Sequence, residues 1–186
     1  MSNSRPRIKM NENKYKAAMG KQKERMDAKI KSADQERGVT ILLTGNGKGK
    51  SSSAFGMAIR SLGYGFKVGI IQFIKGTQLS GEEIFIRDRH PEVFFHQMAT
   101  GFTWESQNRE SDILTAEATW SKAEKLLTDE SYHLIILDEL TYMLTYKYLD
   151  KEKIFSSLQN RPIEQSVIVT GRGGGSELHE IMDTVS

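Results

Sequence analysis

The sequence contains no cysteine, which excludes disulfides and thiolate metal sites. No stretch approaches the ~20 consecutive apolar residues that span a bilayer. The opening residues are polar and basic, so neither a secretory signal nor a membrane anchor is expected. No internal repeat or low-complexity tract is present. Aromatic residues are scarce among the basic ones at the N-terminus, where only Tyr15 interleaves with them, and this argues against nucleic-acid binding. These absences together predict a cytoplasmic protein. What remains is a chain of 186 residues, 38% hydrophobic and 27% charged, long enough for one domain with a buried core.

The net charge of +2 conceals an asymmetry. Eleven of the 26 Lys and Arg and five of the 24 Asp and Glu fall in residues 1–38, leaving 15 against 19 in the remainder. A basic arm therefore precedes a mildly acidic body. Such an arm is either simply solvated or folds over an anionic ligand or partner. Its helical pattern over residues 13–36 carries a narrow apolar stripe of Tyr15, Met19, Met26, Ile30 and Ala33. We read residues 1–38 as an N-terminal helical arm and residues 39–186 as a nucleotide-binding α/β domain.

In that domain short apolar, β-branched runs alternate with helical patterns. "VTILLT" (39–44), "KVGIIQFIKG" (67–76), "VFFHQM" (93–98), "HLIILDEL" (133–140) and "QSVIVTGRGGG" (165–175) contain the strands. The stretches near 50–62 and 111–127, "TYMLTYKYL", "KEKIFSSLQN" and "SELHEIMDTV" read as helices. Trp120, Leu126 and Leu127 fall at core spacing, and the four histidines are scattered rather than clustered as ligands. Strands alternating with helices predict a mostly parallel sheet with helices on both faces. Ligands of such sheets gather at the carboxyl ends of the strands.

The chemically loaded residues lie at those ends. "TGNGKGKSSS" (44–53) nearly spells a phosphate-binding loop, with Thr44 where the general pattern has its first glycine. Gly45, Gly47 and Gly49 would let backbone N–H groups turn toward phosphate oxygens at a helix N-terminus. Lys50 adds a point charge and Ser51 a hydroxyl for Mg²⁺. The acid ending "LIILD" suits a metal-holding carboxylate, a reading the phosphate loop favours over Asp138 as a cap of the next helix. Glu139 could bind Mg²⁺ or polarise a water. Arg172 could meet an anion or lie exposed. Phe102 and Trp104, in the polar loop "ATGFTWESQNRE", could pack in the core or serve a ligand.

Taken together, "GNGKGKSSSAFGMAIR", "VGIIQFIKG", "MATGFTWESQNRE", "LIILDELTYM" and "VIVTGRG" resemble the P-loop family of ATP:corrinoid adenosyltransferases, from about residue 21 to the end of the chain. The resemblance implies a P-loop NTPase-like, RecA-like α/β fold. It implies that Co(I) of a reduced corrinoid attacks the 5′-carbon of ATP and expels triphosphate. By position it assigns phosphate contacts to Asn46, Gly47, Lys48, Gly49, Lys50, Ser51 and Ser52, with Arg172 nearby. It gives Mg²⁺, or Mn²⁺ in its place, to Ser51 and Glu139, and makes Lys50 and Glu139 the residues closest to catalysis. Phe102 and Trp104 match aromatics that crowd the lower face of the corrinoid and exclude its axial ligand. The implied partners are an electron-donor flavoprotein and a second copy of the chain, in a homodimer whose N-terminal helix covers the site. Members usually continue past "DTVS" with a glycine-containing tail, whereas this sequence stops at Ser186. Two other readings stay open on the residues alone: a plain ATPase or kinase with Glu139 as base, and a non-catalytic nucleotide- or corrinoid-binding protein.

Overall fold

The computed structural model describes residues 12–32, 36–74, 79–98 and 108–186. It divides into two compact units, Met1–Glu36 and Arg37–Ser186. In the first, helix α1 (Glu12–Ser32) leaves Tyr15, Met19 and Met26 of the stripe read from the sequence exposed.

The second unit is built on a six-stranded sheet in the order β3-β2-β4-β5-β1-β6, with every pairing parallel. Its strands are β1 (Thr40–Leu43), β2 (Val68–Gln72), β3 (Phe94–Gln97), β4 (Leu134–Asp138), β5 (Ser166–Thr170) and β6 (Thr184–Val185). Every residue of β2 and β4 is buried, which is why both read as continuous apolar runs rather than alternating ones. Successive side chains of a strand point to opposite faces, and β4 divides accordingly. Ile135 and Leu137 join a core cluster with Trp120 and Leu127, while Leu134 and Ile136 join a second with Phe55 and Ile86. The sheet thus has helices on both faces, as the sequence predicts.

Helices α2 (Lys50–Gly63) and α3 (Gly81–Arg89) supply the second cluster. The first takes α4 (Arg109–Leu127), α5 (Leu140–Thr145), α6 (Lys151–Gln159) and α7 (Gly175–Ile181). Side-chain caps start three of these. Ser80 accepts from the Glu83 amide, Asn108 from Ser111 and Asp150 from Lys153, each satisfying an amide that the helix leaves unpaired. Gly69 has a packing reason: a Cβ there would lie 2.9 Å from Leu126 Cδ1 and 3.1 Å from Ile135 Cδ1.

Two elements differ from the sequence reading. Helix α3 has no counterpart in it, because its Ile84 and Phe85 are exposed and only Ile86 among its apolar residues is buried, so the periodicity is faint. The segment 184–185, read as the end of a helix, is instead edge strand β6, paired with Ile41 and Leu42. The cause is Asp183. Its Oδ2 accepts the Thr40 amide at 2.8 Å and Arg37 Nη1 at 3.0 Å, and its own amide donates to Thr40 Oγ1 at 2.9 Å. That clamp draws the chain out of α7 and against β1.

The hydrogen bond from Arg37, ahead of those from Thr40, holds the Asp183 carboxyl well below the usual carboxylate range. The unfolded chain therefore takes up this proton at a higher pH than the native chain does. The stabilisation is fully present above the ordinary carboxylate value of about 4 and is lost as pH falls below it. Asp183→Asn should lower the melting temperature by a constant amount at neutral pH. The difference from the parent should shrink in melts recorded progressively below pH ~4.

Candidate functional site

Strand β1 delivers the chain into the loop 44–49, and α2 begins immediately after it. Gly45 and Gly49 both adopt positive φ, 98° and 99°, a region that residues with a Cβ rarely enter. Lys50 Nζ folds over the loop and donates to the carbonyls of Gly45 at 2.9 Å and Gly47 at 2.6 Å. Thr44, the departure from the general phosphate-loop pattern, serves as a strut. Its hydroxyl donates to the Gly173 carbonyl at 3.1 Å and its amide to the Ser186 carbonyl at 2.8 Å. A glycine there would keep the amide bond and lose the side-chain tie to the loop after β5.

The loop opens onto a cleft of about 320 Å³. Gly47, Lys48, Gly49, Lys50, Ser51 and Ser52 line it on one side, and Glu139, Arg172 and Tyr142 on the other. The ends of β1, β4 and β5 thus meet around one space, where a parallel sheet places its ligands. Asn46 stands exposed in the loop, outside the lining. The Ser52 hydroxyl donates to Glu82 Oε1 at 2.8 Å, so Ser52 offers the cleft its backbone rather than its side chain. Phe102 and Trp104 lie outside the described residues.

The two acids differ sharply. Asp138 is buried, with Oδ1 accepting from Thr170 Oγ1 at 2.6 Å and Oδ2 from Gln72 Nε2 at 2.9 Å. It is not a helix cap, since the residue before α5 is Glu139 and makes no side-chain cap. Glu139 is half-buried and faces the cleft, and its buried Oε2 has no hydrogen-bond partner among the described residues. Burial first, then the charge of Asp138, pushes its carboxyl up to about 6, with Lys50 and Arg172 pulling the other way. A native state that holds this proton more tightly than the unfolded chain is relatively destabilised once the group ionises. In metal-free buffer Glu139→Gln should therefore raise the melting temperature at pH 8. The gain should fade as pH drops below about 6.

Among the described residues no group of three or more His, Asp or Glu could cage a metal. Mg²⁺ does not require one: it commonly takes one or two carboxylates plus substrate phosphates and keeps its waters. The orphaned Glu139 oxygen, across the cleft from Ser51, suits such a hard cation.

Residues 36–186 match the family model of the ATP:corrinoid adenosyltransferases BtuR/CobO/CobP. The chain belongs to the ATP:corrinoid adenosyltransferase family. The corrinoid adenosyltransferase of Escherichia coli K12 is 46% identical over 177 residues, covering 95% of this chain and 89% of that protein. The corrinoid adenosyltransferase CobA of Salmonella typhimurium LT2 matches at the same identity and coverage. That of Pseudomonas aeruginosa PAO1 is 48% identical over 173 residues, 93% of this chain and 85% of its own.

Within the cleft of this adenosyltransferase-family chain, sequence reasoning missed Tyr142. It lies in the first turn of α5, three residues after Glu139, and lines the cleft beside it. Burial, then the charge of Glu139, raises its hydroxyl pKa. Its ring stacks on Tyr146 at 5.8 Å, and Tyr146 leans on Tyr148 at 5.6 Å. Arg109 braces that column, its guanidinium 5.3 Å from the Tyr148 ring and donating to the Tyr146 carbonyl at 3.2 Å. No helix among the described residues is long and apolar enough to cross a membrane.

Proposed function

We propose that the protein transfers the 5′-deoxyadenosyl group of ATP to Co(I) of a reduced corrinoid, releasing triphosphate and forming adenosylcobalamin or a precursor. The observation that carries this is the cleft, in which a phosphate loop with Lys50 and Ser51 faces Glu139 and Arg172 in a chain of this family. The electron pair of Co(I) forms the cobalt–carbon bond. The C5′–O bond breaks, and its pair leaves on the triphosphate oxygen. The nucleophile carries no proton, so Glu139 need not act as a base.

The protein's task is to hold the leaving group and stabilise its growing charge. The amides of residues 46–52 and the N-terminus of α2 would donate to the phosphates, and the Lys50 and Arg172 cations that line the cleft would add positive charge. Ser51 and Glu139 would hold Mg²⁺, or Mn²⁺ in its place, which when bound neutralises phosphate charge. On this reading Glu139→Gln raises the Mg²⁺ requirement and added metal partly restores activity. A general-base role would instead leave the variant inactive at any Mg²⁺ concentration.

The finer assignments are part of the same proposal. Residues 1–38 form an arm that covers the site in a homodimer, a role that suits the exposed Tyr15, Met19 and Met26 of α1. An electron-donor flavoprotein supplies the reduced corrinoid, and the reaction takes place in the cytoplasm, where ATP is available. Phe102 and Trp104 press on the lower face of the corrinoid and keep its axial ligand away, which eases reduction of Co(II). Their replacement by Ala should impair turnover from cob(II)alamin plus reductant far more than turnover from chemically prepared cob(I)alamin. Equal losses in a folded variant would return both residues to ordinary packing.

The deciding experiment incubates the protein with ATP, Mg²⁺ and chemically reduced cobalamin. One triphosphate should appear for each adenosylated corrinoid, followed by the corrinoid spectrum. Release of orthophosphate with an unchanged corrinoid would overturn the proposal.

A further inference from the structure

Glu139 sits in a backbone conformation that residues with a Cβ seldom adopt, φ 58° and ψ 25°. The end of β5 holds it there. The Glu139 amide donates to Thr170 Oγ1 at 3.0 Å, and the same hydroxyl donates its single proton to Asp138 Oδ1 at 2.6 Å. Gln72 Nε2 completes the chain on Asp138 Oδ2 at 2.9 Å. Gln72, Asp138 and Thr170 are all buried, and they come from the adjacent strands β2, β4 and β5.

The direction of these bonds is set by chemistry. An acceptor carboxylate takes the hydroxyl proton, so the Thr170 oxygen turns its lone pairs to the Glu139 amide. The next residue of β5 touches the other end of Glu139. A Cβ built on Gly171 would lie 3.2 Å from Glu139 Oε2. Backbone and carboxylate of one residue are therefore both located by Thr170 and Gly171.

We infer that Thr170 is a positioning residue for the reaction. Its hydroxyl, fixed by Asp138 and Gln72, locks Glu139 in the left-handed conformation that turns the carboxylate into the cleft opposite Ser51. Asp138 then acts at one remove, through the threonine, and both of its oxygens are committed to that task. The inference rests on the reading of Glu139 as the metal-facing residue.

The test compares Thr170→Val, which keeps the shape and loses the hydroxyl, with Thr170→Ser, which keeps the hydroxyl. ATP binding is measured by calorimetry in Mg²⁺ and again in EDTA, with a thermal melt confirming each fold. Removing an outer-shell partner commonly costs ~10–100-fold in metal affinity. Thr170→Val should accordingly lose about tenfold in ATP affinity with Mg²⁺ present and keep parental affinity in EDTA. Thr170→Ser should match the parent in both. Parental Mg²⁺-dependent affinity in a folded Thr170→Val overturns the inference, as does an equal loss with and without metal. Should the valine variant fail to fold, the serine variant decides, because a loss confined to Mg²⁺ with the hydroxyl retained also overturns it. Glu139→Gln measured alongside separates the two readings. If that variant keeps its Mg²⁺ dependence, the metal role of Glu139 falls and the inference with it. If Glu139→Gln loses it and Thr170→Val does not, the positioning role alone falls.

Discussion

Replacing Lys50 with alanine is expected to lower ATP affinity by roughly ten- to a hundredfold, the equivalent of the ~1.5–3 kcal/mol that hydrogen bonds to charged groups contribute. Two losses act in the same direction. On the proposed reading the cleft loses the ammonium that would meet the triphosphate. The loop loses the bonds from Nζ to the Gly45 and Gly47 carbonyls, which hold its glycines in their turned conformation. Lys48 also lines the cleft but has no such hold on the loop, so Lys48→Ala should cost less. Calorimetric titration with ATP reads both variants, and a thermal melt confirms that the fold is intact. Unchanged affinity in Lys50→Ala would mean that the loop is not the phosphate site.

Gly171→Ala should be the most damaging single methyl addition near the site. The glycine has φ 139°, a region in which a side chain costs on the order of 1–3 kcal/mol. A Cβ there would also lie 2.0 Å from Thr141 Oγ1, closer than any real contact. Thr141 cannot yield freely, because it is buried and its hydroxyl donates to the Arg172 carbonyl at 2.9 Å. Relaxation would displace Thr141 itself, or Glu139 and the Arg172 loop, which border the cleft. The expected result is a large fall in melting temperature together with weakened ATP binding. Adding Thr141→Ala should recover part of the loss, since it removes the overlap and leaves the backbone strain. Full recovery would show that φ is unimportant here, and no recovery that the overlap is.

What could be read without coordinates was what local chemistry dictates. β2 and β4 are apolar because both sheet faces are covered, so their runs are conspicuous. The loop with Lys50 and Ser51 is legible because its glycines are needed for backbone geometry within a few residues. Glu139 and Arg172 could be suspected only from their place after strands, since their meeting depends on β4 and β5 being neighbours. Thr170 gave no signal, and Gln72 only that of a polar residue ending its strand. A threonine and a glutamine at strand ends are ordinary, and their roles arise from bonds across three strands. Tyr142 was hidden because it is one of three closely spaced tyrosines that stack on one another, Tyr146 and Tyr148 lying just beyond its helix. Helix α3 escaped because two exposed apolar residues blur its stripe, and β6 because its pairing depends on the distant Arg37 and Thr40.

The position of β1 also bears on how a newly made chain acquires its site. The strand that carries the phosphate loop is inserted between β5 and β6, and neither is near it in sequence. The Val39–Ser166 contact spans 127 residues and the Thr40–Asp183 contact 143. Closing loops of that length is slow, and on a ribosome both partners of β1 emerge after β2, β3 and β4. While β2, β3 and β4 are already able to pair, the glycine loop has no sheet to anchor it. Nucleotide binding is thus a report of completed folding: an arrested chain that lacks β5 and β6 would hold half a sheet and no grip on ATP.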